Sequence, residues 1–240
     1  MYQYFCDEPL ETGKEYIFTK EQAHHAKVIR LDHETIRLVS GTQAFFAEGY
    51  ERDGSYYALV KEEDVSDHEL TEDLTLAFAL IRKEKMELII QKATELGVKK
   101  IIPFESSRCV VHAKKEKASK QKERWQEIAK EAARQCKRNV IPEVTEVASF
   151  KDLKEINTDL RVAAYEKAYG KAPYLSDIFS ENKSMTVVIG PEGGFSEEEM
   201  KKLEEWDYTP VTFGERILRA ETAAIYACAV FSECSGRREG

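Results

Sequence analysis

Leu74-Thr-Leu-Ala-Phe-Ala-Leu-Ile81 is a continuous apolar run with no polar alternation. Residues 84–96 follow it with Met86, Ile89, Ile90, Ala93 and Leu96 at helical spacing, and Gly97 supplies a C-terminal stop. Lys99-Lys-Ile-Ile-Pro-Phe104 is then a second apolar run. A strand without alternation belongs to a sheet buried on both faces, which is the habit of parallel sheets. Strand, helix and strand in that order make a βαβ unit. The fold class follows: α/β, with a parallel sheet covered by helices.

The alternation continues toward the C-terminus. Further strands are expected at 140–144, 160–165, 185–189 and 210–213. Helices are expected at 117–137, 150–156, 174–180 and 197–206, with a last one from 221 to about 234. Upstream the pattern differs. Runs at 16–19, 35–39, 43–47 and 55–60 are short and rich in aromatic and β-branched residues, with Ser40-Gly41 and Asp53-Gly54 as turn signals. One helical patch at 20–30 interrupts them. Closely spaced short strands suggest a small β-barrel. Residues 61–73 are acidic and aperiodic and read as a linker, which sets domains at 1–70 and 74–240.

Composition narrows the class of function. With 42% apolar residues, including 11 Tyr and 11 Phe, the chain of 240 residues can build a sizeable core. No apolar run reaches membrane-spanning length, and the N-terminus lacks the basic region of a signal peptide. Five cysteines without paired spacing point to a reducing compartment, hence the cytoplasm. His24 and His25 are adjacent, the other histidines are scattered, and no Cys-x-x-Cys exists, so no metal is expected. The net charge of −8 argues against a globally electrostatic nucleic-acid binder. Residues 114–138, however, hold ten Lys or Arg against four Glu. That segment is either a solvated helix laced with i,i+4 pairs or a face for a phosphate backbone.

Two loops carry the chemistry. Ile189-Gly-Pro-Glu-Gly-Gly-Phe195 follows an apolar strand and precedes a helix opening with Ser196 and Glu199, a capping box. Its glycines let a ligand approach the backbone closely. Three glutamates at that helix start repel phosphate, and neither a P-loop nor a Gly-x-Gly-x-x-Gly pattern is present. A ligand held by base and ribose, carrying positive charge, fits better than a nucleotide held by its phosphates. The alternative is a tight turn with no ligand. Phe213-Gly-Glu-Arg-Ile-Leu-Arg-Ala-Glu-Thr-Ala223 sets Arg216, Arg219 and Glu221 at the start of a helix that is apolar all round. Either Arg219 and Glu221 form a structural pair, or the cluster positions a polar substrate. Both loops lie where open α/β sheets bind ligands. Tyr165 and Glu166 end another strand on the same sheet edge.

These two segments together resemble the small-subunit rRNA methyltransferase E family, within the SPOUT class of knotted methyltransferases. His24-His-Ala-Lys-Val-Ile-Arg30, Gln91-Lys-Ala-Thr-Glu-Leu-Gly-Val98 and Glu131-Ala-Ala-Arg-Gln-Cys-Lys-Arg138 extend the resemblance over nearly the whole chain. It implies a PUA-like N-terminal barrel that helps dock RNA, a C-terminal domain closed by a trefoil knot, and a homodimer. It also implies S-adenosylmethionine as cofactor and methylation of N3 of one uridine in the decoding region of 16S rRNA, on the small subunit. By motif position, cofactor contacts fall on Gly190, Glu192, Gly193, Gly194, Gly214, Ile217, Leu218 and Arg219, with Tyr165 and Glu166 as a third loop. Arg219, Glu221 and Arg134 become the catalytic candidates, and Arg30, Lys114, Lys115 and Arg138 the RNA contacts. Departures from the family pattern are Phe213 for leucine, Ala220 for threonine and Ser106-Ser-Arg108 for an acidic-arginine-serine turn. A tRNA methyltransferase, a non-catalytic assembly factor and a small-molecule methyltransferase are the competing readings.

Overall fold

The computed structural model describes residues 1–113, 116 and 118–236. The chain divides into two compact units, Met1–Glu69 with Ala133–Val140, and Leu70–Ala132 with Ile141–Gly240.

The first unit is a five-stranded sheet. Its strands are β1 (Gln3–Cys6), β2 (Glu15–Ile17), β3 (Glu34–Ser40), β4 (Gln43–Arg52) and β5 (Ser55–Asp64), in the order β1-β3-β4-β5-β2. Only β1 and β3 run parallel. Asp53 and Gly54 both have positive φ and join Arg52 to Ser55 in a two-residue hairpin, the geometry that right-twisted strands require. The sheet curls over Tyr4, Tyr16, Phe18, Ile36, Leu38, Phe45 and Val60. Helix α1 (Lys20–Val28) starts at Thr19, whose hydroxyl accepts from the Gln22 amide while the Gln22 side chain accepts from the Thr19 amide.

Segment 133–140 is built into this unit by hydrogen bonds. Arg37 is 1% exposed; its Nε donates to Asp64 Oδ2 at 2.7 Å, its Nη1 to Gln3 Oε1 at 2.8 Å and its Nη2 to Asn139 Oδ1 at 2.6 Å. Asn139 Nδ2 donates to the Thr42 carbonyl, and Glu69 accepts from the amides of Asn139 and Val140. A buried guanidinium satisfied on three sides is stable where a bare one is not. The chain therefore returns to its first unit after the linker, which a single boundary at 70–74 does not provide.

The second unit is a parallel sheet. It contains β6 (Leu74–Ala79), β7 (Lys100–Glu105), β8 (Glu143–Val144), β10 (Leu160–Ala164), β11 (Met185–Ile189) and β12 (Thr209–Val211), ordered β12-β10-β11-β6-β7-β8, with β9 (Ala148–Ser149) beside β7. Every residue of β6 and β11 is buried, as central strands covered on both faces require. Helices are α2 (Lys83–Glu95), α3 (Ala118–Gln135), α4 (Leu175–Ile178), α5 (Glu197–Glu205) and α6 (Ala220–Gly236). The expected helix at 150–156 is a 3-10 segment, Phe150–Glu155. Trp125 of α3 is 2% exposed and anchors that helix in the core. The small residues of α6 (Ala220, Ala223, Ala224, Ala227, Cys228) are buried, and the helix packs against α2, α4, β6 and β11.

Candidate active site

The strands β10, β11 and β12 end together at the carboxyl edge of the sheet, and the loops that follow them enclose a cleft of about 360 Å³. Its walls include Tyr165 and Glu166, residues 190–194, and Gly214 with residues 216–220. All ten residues expected from the motifs as cofactor contacts line this one cleft: Tyr165, Glu166, Gly190, Glu192, Gly193, Gly194, Gly214, Ile217, Leu218 and Arg219.

The glycine loop is held from several sides. The Gly194 amide donates to the Pro191 carbonyl at 2.9 Å. Gly194 has φ +63°, and a Cβ there would lie 2.7 Å from Glu166 Oε1. A Cβ on Gly190 would stand 3.3 Å from the Phe195 ring. Both positions exclude a side chain for reasons of space, and the first for reasons of backbone as well. Arg108, in the loop after β7, donates through Nη1 to the carbonyls of Gly193 at 3.1 Å and Phe195 at 3.3 Å.

At the start of α5 the expected capping box is present: the Glu199 amide donates to Ser196 Oγ and the Ser196 amide to Glu199 Oε2. Glu199 is buried and also accepts from Ser106 Oγ and the Ser107 amide, both at 2.9 Å. Burial pushes its carboxyl upward, but the amides of Ser196 and Ser107 and the serine hydroxyls outweigh it and hold the group below its ordinary value. The serine turn thus ties the loop after β7 to the loop after β11.

Arg219 is exposed on the cleft wall and has no carboxylate within ion-pair distance among the described residues. The alternative of an Arg219–Glu221 pair is not what forms. Glu221, in the first turn of α6, lies with Oε2 3.2 Å from Lys85 Nζ of α2, and the same ammonium is 3.8 Å from Glu192 Oε1. Oε2 is nevertheless the only buried side-chain oxygen or nitrogen among the described residues without a hydrogen bond, so the contact with Lys85 is ionic rather than directional. Sequence reasoning missed Lys85 and Arg108. Lys85 sits in a run of charges, Arg82 to Glu87, where nothing distinguishes it from a solvated helix start.

The remaining expected residues lie elsewhere. Arg30, Arg134 and Arg138 belong to the first unit. Lys114 and Lys115 lie outside the described residues. Arg138 requires a correction as an RNA contact. It is 3% exposed, and Nε and Nη2 both donate to Glu69 Oε2, at 2.9 and 2.6 Å. A guanidinium buried against a carboxylate has no free face for phosphate. Arg124 of the basic helix is likewise bound to Glu87, at 2.6 Å.

No helix among the described residues is long and apolar enough to cross a membrane. The family model for an RNA methyltransferase domain matches residues 68–232. The ribosomal RNA small subunit methyltransferase E of Bacillus subtilis is 36% identical over 97% of this chain and 96% of its own length. The protein of the same name from Mesomycoplasma hyopneumoniae is 31% identical over 94% and 96%. The crystal structure of ribosomal RNA small subunit methyltransferase E from Neisseria gonorrhoeae, bound to S-adenosyl methionine, is 29% identical and superimposes with a TM-score of 0.88 over 97% of each chain. With that likeness spanning both units and the cleft alike, the chain belongs to the ribosomal RNA small subunit methyltransferase E family.

Proposed function

We propose that the protein is an S-adenosylmethionine-dependent methyltransferase that modifies N3 of one uridine in the decoding region of 16S rRNA, on the small ribosomal subunit. The observation that carries this reading is the convergence of the three strand-end loops on one cleft whose rim holds an unpaired arginine, Arg219.

The cleft fits the cofactor. Its volume lies within the range of about 300–1,000 Å³ usual for small-molecule sites. Gly190, Gly193 and Gly194 leave backbone groups open to a base and ribose, and Ile217 and Leu218 offer apolar walls. Glu166 and Glu192 are the carboxylates on its wall, and Glu166, with no ion pair among the described residues, is free to face a sulfonium ligand. Ala220 leaves no hydroxyl at its position, and the neighbouring backbone supplies the polar contacts. The topology supports the knot as well. β12 lies beyond β10 at one edge of the sheet, while the helix after it packs on β6 and β11, so the chain crosses back over the end of β10.

When bound, S-adenosylmethionine supplies a methyl group on a positively charged sulfur. Uracil N3 must lose its proton as the new N–C bond forms and the S–C bond breaks. Negative charge then grows toward the ring carbonyl oxygens. Arg219 is assigned to those oxygens rather than Arg134 because it lines the cleft; a donor aimed at developing charge stabilises the transition state more than the ground state. Glu221 stands against Lys85 and not against Arg219, which leaves it the role of proton acceptor rather than that of orienting the arginine. The first unit acts as the PUA-like RNA-docking module, the protein works as a homodimer, and its place is the cytoplasm.

The test is methyl transfer from labelled S-adenosylmethionine to unmodified small subunits, with the product nucleoside identified by mass spectrometry. 3-Methyluridine is expected. Cofactor binding without 3-methyluridine would reject the substrate, and transfer to tRNA would then be measured. Failure to bind the cofactor would reject the enzyme reading in favour of an assembly factor.

A further inference from the structure

The described arginines of the second unit fall into two groups. Arg124 is paired with Glu87, and Arg161, at the amino end of the sheet, donates to the Trp206 carbonyl and lies over the Tyr208 ring. Arg82, Arg108, Arg216 and Arg219 are all exposed, and among the described residues no carboxylate comes within 4.0 Å of any of them.

All four share one location. Arg82 and Arg108 each stand three residues past the carboxyl ends of β6 and β7, and Arg216 and Arg219 lie in the loop that joins β12 to α6. Arg216 and Arg219 line the cleft. Arg108 spends only Nη1 on the glycine loop, leaving Nε and Nη2 free. Arg82 is the residue before α2, one turn ahead of Lys85, which reaches Glu192 on the cleft wall at 3.8 Å. Acids share the edge: Glu192 and Glu221 both face Lys85, and Glu166 lines the cleft, yet none of the three comes within 4.0 Å of an arginine among the described residues. Planar guanidinium groups with unspent donors match the oxygens of a phosphodiester.

We propose that Arg82, Arg108 and Arg216 form a phosphate-binding rim that grips the RNA backbone beside the nucleotide presented to Arg219. The rim rests on the reading of the substrate as RNA and adds a binding surface on the second unit itself. Such contacts set the register of the strand without reading its sequence.

The test uses the full-length protein and a fluorescent oligouridylate, with affinity measured across a series of salt concentrations. Removing one arginine–phosphate pairing should reduce the slope of log affinity against log salt by about 0.7 for a single strand. Arg82→Gln with Arg216→Gln should therefore lower the slope by about 1.4 and weaken binding at low salt. Arg82→Lys with Arg216→Lys should retain most of the slope. Lys201→Gln, an exposed charge on α5, serves as the control and should leave it unchanged. An unaltered slope in the glutamine double variant overturns the rim, as does an equal fall with Lys201→Gln. S-adenosylmethionine binding, measured in parallel by calorimetry, should be the same in the wild type, in Arg82→Gln alone and in Lys201→Gln, since neither residue lines the cleft. Loss of it in Arg82→Gln would mean a damaged cleft and would also overturn the rim. Absence of it in the wild type would reject the proposed function while the salt slopes still decide the rim.

Discussion

Lys85 Nζ stands 3.2 Å from Glu221 Oε2 and joins α2 to the first turn of α6, with Glu192 of the glycine loop 3.8 Å away on the same ammonium. One cation thus serves two carboxylates, one from the glycine loop and one from the first turn of α6. The Glu221 side chain is 13% exposed and Lys85 30%, so water screens the pair only in part. An acid at a helix N-terminus gains from the peptide dipole as well, and Lys85 keeps it fixed above the small residues of α6.

Lys85→Ala should cost about 1–3 kcal/mol of stability, because it leaves a mostly buried carboxylate without its counter-charge. Glu221→Gln should cost less, and the double variant should be more stable than the sum of the two losses predicts. Urea unfolding of the four proteins measures the coupling; strictly additive losses would show that the ion pair does not hold the two helices together.

Arg219→Ala should lower the rate of methyl transfer about 10²–10³-fold, the usual effect of removing one donor to developing negative charge. Cofactor affinity should change little, since the glycine backbone and the apolar wall remain. Single-turnover rates and calorimetric titration with S-adenosylmethionine separate the two effects. An equal loss of both would reassign Arg219 to cofactor binding.

The parts of the fold that are legible in the sequence are those with a strong period. β6, α2, β7 and β11 appear within a residue or two of their expected bounds because an apolar run and a helical stripe both leave a pattern. β1 leaves none: Gln3-Tyr-Phe-Cys6 is short, and its fully buried Gln3 is polar because it answers Arg37 and the Arg138 carbonyl. The return of 133–140 to the first unit is equally hidden, since Asn139 and Glu69 meet through hydrogen bonds that no periodicity encodes. The cleft is legible because glycines and charges interrupt otherwise apolar segments. Lys85 and Arg108 are not, because their partners come from distant loops and neither stands out from its neighbours.

Gly194→Ala should weaken S-adenosylmethionine binding more than it harms the fold. A residue with a side chain at φ +63° costs about 1–2 kcal/mol. The added methyl would also press on the Glu166 carboxylate, 2.7 Å away, and drive it into the cleft. Gly54→Ala is the comparison: its φ is +77° and its Cβ would meet nothing within 4 Å. Comparable melting temperatures with reduced cofactor affinity in Gly194→Ala alone would support this account, and unchanged affinity would show that Glu166 can move away from the ligand.

Asp64 should make the first unit sensitive to acid. Burial raises its tendency to take up a proton, but the Arg37 guanidinium and the Ser66 hydroxyl and amide outweigh that and hold its pKa down to about 2, against an ordinary 3.8. A carboxyl lowered by folding contributes stability that is fully present above its unfolded pKa and fades as the pH falls from about 4 toward about 2. The difference corresponds to about 2 kcal/mol. Asp64→Asn should lose stability at neutral pH, because Arg37 stays buried with one ionic partner gone, and should lose that part of the acid dependence with it. Hydrogen exchange of the β3 and β5 amides, followed from pH 6 to pH 3 in both proteins, reads this unit separately from the other. Parallel pH profiles for wild type and variant would mean that carboxylates other than Asp64 set the acid response.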